Sequence, residues 1–173
     1  EFNPGHPFTH ITTVYFDTPG LELFEKASRS YDDNLKVRVK EYYYLDSSGR
    51  ELVSPDCFIE LKQRREGMVS KQRLRIAKEH LSDFIQGVDL RDRLRLQAAP
   101  SPGPAEGAPD DFDRAYEALR ERLSTTPLRP VSAINYRRRV YQRNEKDLRV
   151  TFDDRITVFE PPLELYRGAT ALV

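Results

Sequence analysis

The sequence contains a single cysteine, Cys57, and has neither a long apolar run nor a glycine-rich phosphate loop. One cysteine excludes an internal disulfide framework, cannot by itself supply a zinc site, and favours a reducing compartment. No stretch approaches the roughly 18 consecutive apolar residues of a membrane span, so we expect no membrane segment in this chain. Without a glycine-rich loop, backbone-cradle binding of a nucleotide is not indicated.

The sequence also lacks an excess of positive or negative charge. Lys plus Arg and Asp plus Glu each number 28, which gives a formal net charge of zero. This balance argues against a nonspecific basic coat, and no recognition module is visible, so we expect no nucleic-acid partner. At 173 residues the chain fits one domain over 1–173, with an exposed loop rich in Pro, Gly, Ala and Ser at 98–109.

Basic residues alternate with other residues in three segments. The alternating cations are Lys36, Arg38 and Lys40, then Lys62 and Arg64, then Lys71, Arg73 and Arg75. Successive side chains of a strand point to opposite faces, so each segment would send its cations to one side. Like charges side by side repel, which predicts a strongly anionic ligand against this wall of charge. Solvated strand faces with ion pairs elsewhere would give the same alternation.

The periodicity predicts mainly strands. We expect them at 11–17, 35–45, 57–65, 69–76, 131–143 and 147–159, with an antiparallel hairpin around Glu66 and Gly67. Helical spacing occurs at 21–27, at 78–97 with an interruption at Gly87, and from Asp110 onward. If the apolar faces pack on the helices and the sheet curls, the fold is α+β: an antiparallel β-barrel or tunnel with a basic lumen, flanked by helices.

The closing strands add further arginines and one ambiguity. Arg137, Arg138 and Arg139 are consecutive, so they cannot all share a face, and Arg149 follows on the last strand. Glu60 is the one carboxylate within the basic set, on the face of Lys62. A basic lumen of this kind could hold phosphate groups by charge-assisted hydrogen bonds.

Five segments, taken in order, resemble the VTC domain, the polyphosphate polymerase domain of the vacuolar transporter chaperone family within the triphosphate tunnel metalloenzymes. They are Val14-Tyr15-Phe16-Asp17-Thr18-Pro19, Lys36-Val37-Arg38-Val39-Lys40, Phe58-Ile59-Glu60-Leu61-Lys62, Ser70-Lys71-Gln72-Arg73 and Leu148-Arg149-Val150-Thr151-Phe152-Asp153. The resemblance extends from residue 11 to about residue 160.

The resemblance implies a tunnel that binds the triphosphate of ATP and, with a divalent metal, Mn²⁺ or Mg²⁺, transfers the terminal phosphate to a growing inorganic polyphosphate chain. Carried over by position, the implied catalytic residues are Arg38, Lys40, Lys62, Lys71, Arg138 and Arg149. Arg73 and Arg75 are further candidates for contact with the triphosphate or polyphosphate, and Glu60 is a candidate metal ligand.

Two parts of the family pattern are not visible in this sequence. The resemblance places a basic strand before the Tyr-Phe-Asp segment and a Glu-x-Lys strand, with the main metal-binding glutamate, beyond Val173. We therefore expect a fragment that lacks both terminal strands. A triphosphatase with the same tunnel and a non-catalytic polyphosphate-binding module remain alternatives. The expected location is cytoplasmic, or the cytoplasmic face of a membrane if an anchor lies outside this sequence, and no oligomeric state is indicated.

Overall fold

The computed structural model describes residues 8–97, 109–143, 148–161 and 165. The strands are β1 (Thr9–Asp17), β2 (Asp33–Leu45), β3 (Glu51–Val53), β4 (Asp56–Arg65), β5 (Met68–Ala77), β6 (Arg129–Gln142) and β7 (Arg149–Phe159). The helices are α1 (Glu22–Arg29), α2 (Lys78–Ile85), α3 (Arg91–Gln97) and α4 (Pro109–Thr125). In these residues no helix is long and apolar enough to cross a bilayer. The predicted loop at 98–109 lies outside them, except for Pro109.

The strands form one antiparallel sheet, which confirms the α+β class. Its order is β5-β4-β2-β1-β6-β7, with the short β3 paired to β2. Among the described strands the sheet stays open, with β5 and β7 as its edges. The sequence predicted a closed barrel or tunnel, whereas the described strands form an open sheet. Alternation in the sequence identifies which side chains share a face, but it carries no information about whether two edges meet.

The hairpin between β4 and β5 sets the register of these two strands. Its turn is Glu66-Gly67, and both residues have positive φ angles, 51° and 76°. Two-residue turns of this hand match the twist of the flanking strands, and glycine adopts the conformation without steric cost. Arg65 consequently pairs with Met68, and Glu60 lies opposite Arg73. The predicted hairpin is thus confirmed.

The corner between β1 and α1 is closed by Asp17. Its carboxylate accepts hydrogen bonds from the backbone N–H groups of Thr18 at 2.7 Å and of Leu23 and Phe24 at 2.9 Å each. The Thr18 hydroxyl accepts a fourth bond, from the N–H of Glu22 at 3.1 Å. The first N–H groups of a helix have no partner within the helix, so Asp17 and Thr18 satisfy them from the end of the strand.

The apolar core lies on one face of the sheet, under the helices. Its sheet members include Val14, Phe16, Val37, Val39, Cys57, Ile59, Leu74 and Ile76, and helices α2, α3 and α4 contribute Leu81, Phe84, Leu94, Tyr116 and Leu119. The predicted helical stretch 78–97 is two helices, because Gly87, with φ +98°, falls between them. Since the helices cover only this face, the alternating cations lie on the other one.

Replacing Asp17 by alanine should destabilise the fold. Three backbone donors would lose their acceptor at a buried corner, and we expect the free energy of unfolding to fall by about 2 kcal/mol in urea denaturation. Asp17→Asn, which retains one acceptor oxygen, should lose less. A free energy of unfolding for Asp17→Ala equal to that of the wild type would show that the corner does not depend on this carboxylate.

Candidate functional site

Three neighbouring strands place nine side chains in a three-by-three array on the face away from the helices. Across β2, β4 and β5, the register gives the rows Lys36, Lys62, Lys71; then Arg38, Glu60, Arg73; then Lys40, Phe58, Arg75. We call this array the basic grid. Seven of its nine members are cations and one is a carboxylate. Neighbouring cations on one face destabilise a sheet, so the grid is held in an unfavourable arrangement unless anions approach it.

Glu60 occupies the centre of the basic grid and contacts cations on both neighbouring strands. Its side chain is 1% exposed. On one oxygen, Oε2, it accepts a hydrogen bond from Nε of Arg38 at 2.8 Å, and a second guanidinium nitrogen of Arg38 lies at the same distance. On the other oxygen, Oε1, Nζ of Lys71 lies at 3.3 Å and Nε of Arg73 at 3.4 Å.

These basic partners keep the carboxyl group of Glu60 deprotonated. Burial alone would raise the pKa of its carboxyl group, but the nearby charges of Arg38, Lys40 and Lys71 lower it below its ordinary value. The carboxylate is therefore ionised at neutral pH and neutralises part of the positive charge around it.

A cavity of about 200 Å³ opens beside the basic grid. Strands β1, β2, β4, β5, β6 and β7 all contribute to it, through Thr9, Ile11, Lys40, Tyr42, Glu60, Lys71, Arg73, Arg138, Val140 and Arg149. The cavity thus unites Lys40, Lys71, Arg138 and Arg149, four of the six residues that the resemblance implies as catalytic. It also includes Arg73 and Glu60, which the sequence suggested as triphosphate and metal contacts.

Lys40 is the buried cation of the cavity, with 8% of its surface exposed. Burial is the main reason that the pKa of its ammonium group falls from 10.5 to about 8; the charges of Arg38, Arg138 and Lys71 act in the same direction, and Glu60 opposes them. In the part of the chain that the structure describes, no carboxylate forms an ion pair with this ammonium. An approaching anion would supply the missing counter-charge.

Strand β6 resolves the ambiguity of the three consecutive arginines. Arg138 lines the cavity and donates from Nε and Nη2 to the two oxygens of Asp153, at 2.7 and 2.8 Å. Arg137 points to the opposite face, where it makes the same forked contact with Asp154, at 2.7 and 2.6 Å. Asp153 raises the pKa of Arg138 despite partial burial, so this guanidinium stays charged.

Three of the predicted residues lie outside the lining of this cavity. Arg38 is turned toward Glu60, while Lys62 is exposed in the lysine row between Lys36 and Lys71. Arg75 is paired with Asp56, whose Oδ2 accepts a hydrogen bond from Nε at 2.8 Å. Each row of the grid thus contributes one cation to the cavity lining, namely Lys71, Arg73 and Lys40, whereas the other cations of the grid lie outside that lining.

The sequence did not identify Tyr42 and Asp153 as residues of the site. Tyr42 lines the cavity and accepts a hydrogen bond from Arg73 at 3.2 Å. Asp153 brings a second carboxylate to the basic face through its contact with Arg138. A signal for Asp153 was available, because it stands four residues after Arg149 on the same strand and therefore on the same face.

The described residues do not fit a protein-held metal. Within them, no group of three or more His, Cys, Asp or Glu side chains could hold a metal ion. The only carboxylate that lines the cavity there, Glu60, has Arg38 on one oxygen and Lys71 and Arg73 on the other. A divalent cation would have to displace these charges, so its binding to Glu60 is opposed by the geometry.

The pH dependence of anion binding should follow Lys40. Because its pKa is about 8, the ammonium charge disappears as the pH rises from 7 to 9, and the affinity for tripolyphosphate should fall over this range in isothermal titration calorimetry. Lys40→Met should bind about tenfold more weakly at pH 7, and the difference from wild type should vanish above pH 9.

The stability of the protein should change in the opposite direction. The unfolded chain holds the Lys40 proton up to about pH 10.5, and the folded chain holds it only up to about pH 8. The free energy of unfolding should therefore increase between these two pH values.

The affinity prediction has a clear contradicting outcome. If the affinity of the wild type for tripolyphosphate stays above that of Lys40→Met by a constant factor from pH 7 to 9.5, Lys40 is not the titrating group.

Comparison with known proteins relates the chain to a protein family and to solved structures. The family model of the VTC domain matches residues 1–168. No curated protein matches the chain. Among solved structures, a candidate adenylate cyclase from Bacillus halodurans is similar over 88% of this chain, with 16% sequence identity and a TM-score of 0.46. The chain spans 60% of the length of that protein.

Proposed function

The chain belongs to the VTC domain family, and we propose that it is an ATP-dependent polyphosphate polymerase, which transfers the terminal phosphate of ATP to an inorganic polyphosphate chain bound at the basic face. Family membership supports the broader role in triphosphate or polyphosphate binding. The particular polymerase reaction is our proposal.

The observation that carries the proposal is the concentration of cations around one cavity, where five basic side chains face one lining carboxylate, Glu60, among the described residues. Lys40, Lys71, Arg73, Arg138 and Arg149 line it together, and Lys40 is buried without an ion pair among the described residues. Desolvating an ammonium group is unfavourable unless an anion compensates it, and a triphosphate carries several negative charges in a short chain.

Phosphoryl transfer suits a site of this composition. It needs little covalent help from the protein, but it needs the phosphates held in line and their developing charge neutralised. In the proposed reaction an oxygen at the end of the polyphosphate chain attacks the γ-phosphorus, a new P–O bond forms, and the bond to the β-phosphate oxygen breaks so that ADP leaves. Lys40, Lys71, Arg138 and Arg149 would orient the phosphates and stabilise the transferred group.

The implied Mn²⁺ or Mg²⁺ has no protein-held site among the described residues. Such ions commonly keep few protein ligands and take others from substrate phosphates and water. We therefore include a divalent metal in the proposal as a partner of the nucleotide and derive no step from it. The lack of fit favours a second candidate, a polyphosphate-binding module, which needs the cations of the cavity but no catalysis.

Phosphorus NMR of the protein with ATP, Mn²⁺ and a short polyphosphate primer separates these functions. A polymerase should build up internal-chain phosphate signals together with ADP. Arg138→Ala should lower the rate at least about a hundredfold, as expected for the loss of one preorganised charge at the transferred group. The matched control is Arg137→Ala, which removes the adjacent, equally forked arginine on the opposite face and should keep the wild-type rate.

Each other outcome has a distinct meaning. Free phosphate without chain growth would make the protein a triphosphatase and overturn the polymerase. Unchanged ATP with retained polyphosphate binding would favour the binding module. Equal rates for the two arginine variants would contradict the cavity as the reaction site.

A further inference from the structure

We propose that Glu60 is a built-in counter-ion of the basic grid, which a bound phosphate chain displaces from Lys71 and Arg73 while Arg38 stays paired with it. The inference rests on the proposed function only in taking the ligand to be a polyphosphate anion. It assigns Glu60 a positioning role and does not make it a metal ligand.

The two oxygens of Glu60 have unequal partners. Oε2 receives two guanidinium nitrogens of Arg38, both at 2.8 Å, and Arg38 is 17% exposed and outside the cavity lining. Oε1 has Lys71 at 3.3 Å and Arg73 at 3.4 Å, both longer than a good charged hydrogen bond. The contact with Arg38 is thus the shorter one and lies outside the cavity lining, whereas the two contacts of Oε1 are longer and belong to cations of the lining. Exposure does not separate the two arginines, because the Arg73 side chain is 16% exposed.

The two cations with the longer contacts to Glu60 are also the ones that line the cavity. Lys71 and Arg73 line the cavity, and the Lys71 side chain is 46% exposed. Arg73 has additional support, because its guanidinium lies 3.7 Å over the ring of Phe58 and donates to the Tyr42 hydroxyl. These contacts can hold Arg73 in place after it leaves Glu60, so it can change partners with little movement.

The charges favour such an exchange. One carboxylate cannot neutralise three cations, whereas a polyphosphate chain brings about one negative charge with every phosphate group. Glu60 keeps its own charge after the exchange and repels the ligand. Glu60 therefore holds the cations in position when no ligand is bound, and it lowers the affinity of the site for the polyphosphate chain. A polymerase must release or advance this chain after every transfer.

The first test measures tripolyphosphate binding by calorimetry, without divalent metal, to wild type, Glu60→Gln and Asp56→Asn. Asp56→Asn removes a carboxylate from the same strand, paired with Arg75 at the edge of the grid. Loss of the Glu60 charge should tighten binding about tenfold and lower the melting temperature of the ligand-free protein. Asp56→Asn should bind like wild type, since Asp56 does not line the cavity.

The outcomes separate this inference from the proposed function. Binding to wild type with equal or weaker binding to Glu60→Gln would overturn the counter-ion role alone. No binding to either protein would overturn the polyanion site and the inference with it. If Mn²⁺ strengthens binding to wild type but not to Glu60→Gln, Glu60 is a metal ligand and the inference is wrong.

A second measurement, made on the wild-type protein, tests the inference even if the Glu60→Gln variant fails to fold. Nitrogen-15 NMR follows the Nε–H signals of Arg38 and Arg73 as tripolyphosphate is added, with Arg73→Lys as the assignment control. The Arg73 signal should shift and the Arg38 signal should stay in place. Movement of both signals, or of Arg38 alone, would contradict the selective exchange.

Discussion

Repulsion among seven cations on one face of a sheet is the constraint on which the rest of this structure depends. Such a face cannot be buried under helices, because the charges would lose their hydration. The core is accordingly confined to the other face, where Val39, Ile59 and Leu74 pack beneath α2 and α4. Glu60, at the centre of the cations, is the one internal charge that offsets their repulsion within the grid.

The buried Lys40 lowers the stability of the ligand-free protein and raises its affinity for an anion. A buried Lys40 with a pKa near 8 destabilises the folded protein at neutral pH, and a hydrophobic side chain there would remove that cost. The unfavourable charge is useful only if an anion relieves it, so the same group that weakens the empty protein strengthens the complex. The neutral net charge of the chain does not reveal this arrangement, because 28 cations and 28 anions balance over the whole sequence while the basic grid holds seven cations and one carboxylate.

Much of the fold follows from the sequence, since alternation and turn residues predict six of the seven strands and the hairpin at Glu66 and Gly67. The short β3 lacked a signal, because three residues are too few for periodicity. The site was predicted less completely. Faces can be deduced within one strand, but Glu60 meets Arg38 and Arg73 across strands, and this depends on a register that the sequence does not reveal. The membership of Asp153 in the site depends likewise on the pairing of β6 with β7.

A crystal structure of the protein with bound tripolyphosphate tests the central claim most directly. Our account predicts phosphate density in the cavity on the basic face, within hydrogen-bond distance of Lys40, Lys71 and Arg138, with Arg38 still on Glu60. Phosphate bound at Arg137 on the opposite face, with the cavity empty, would contradict it.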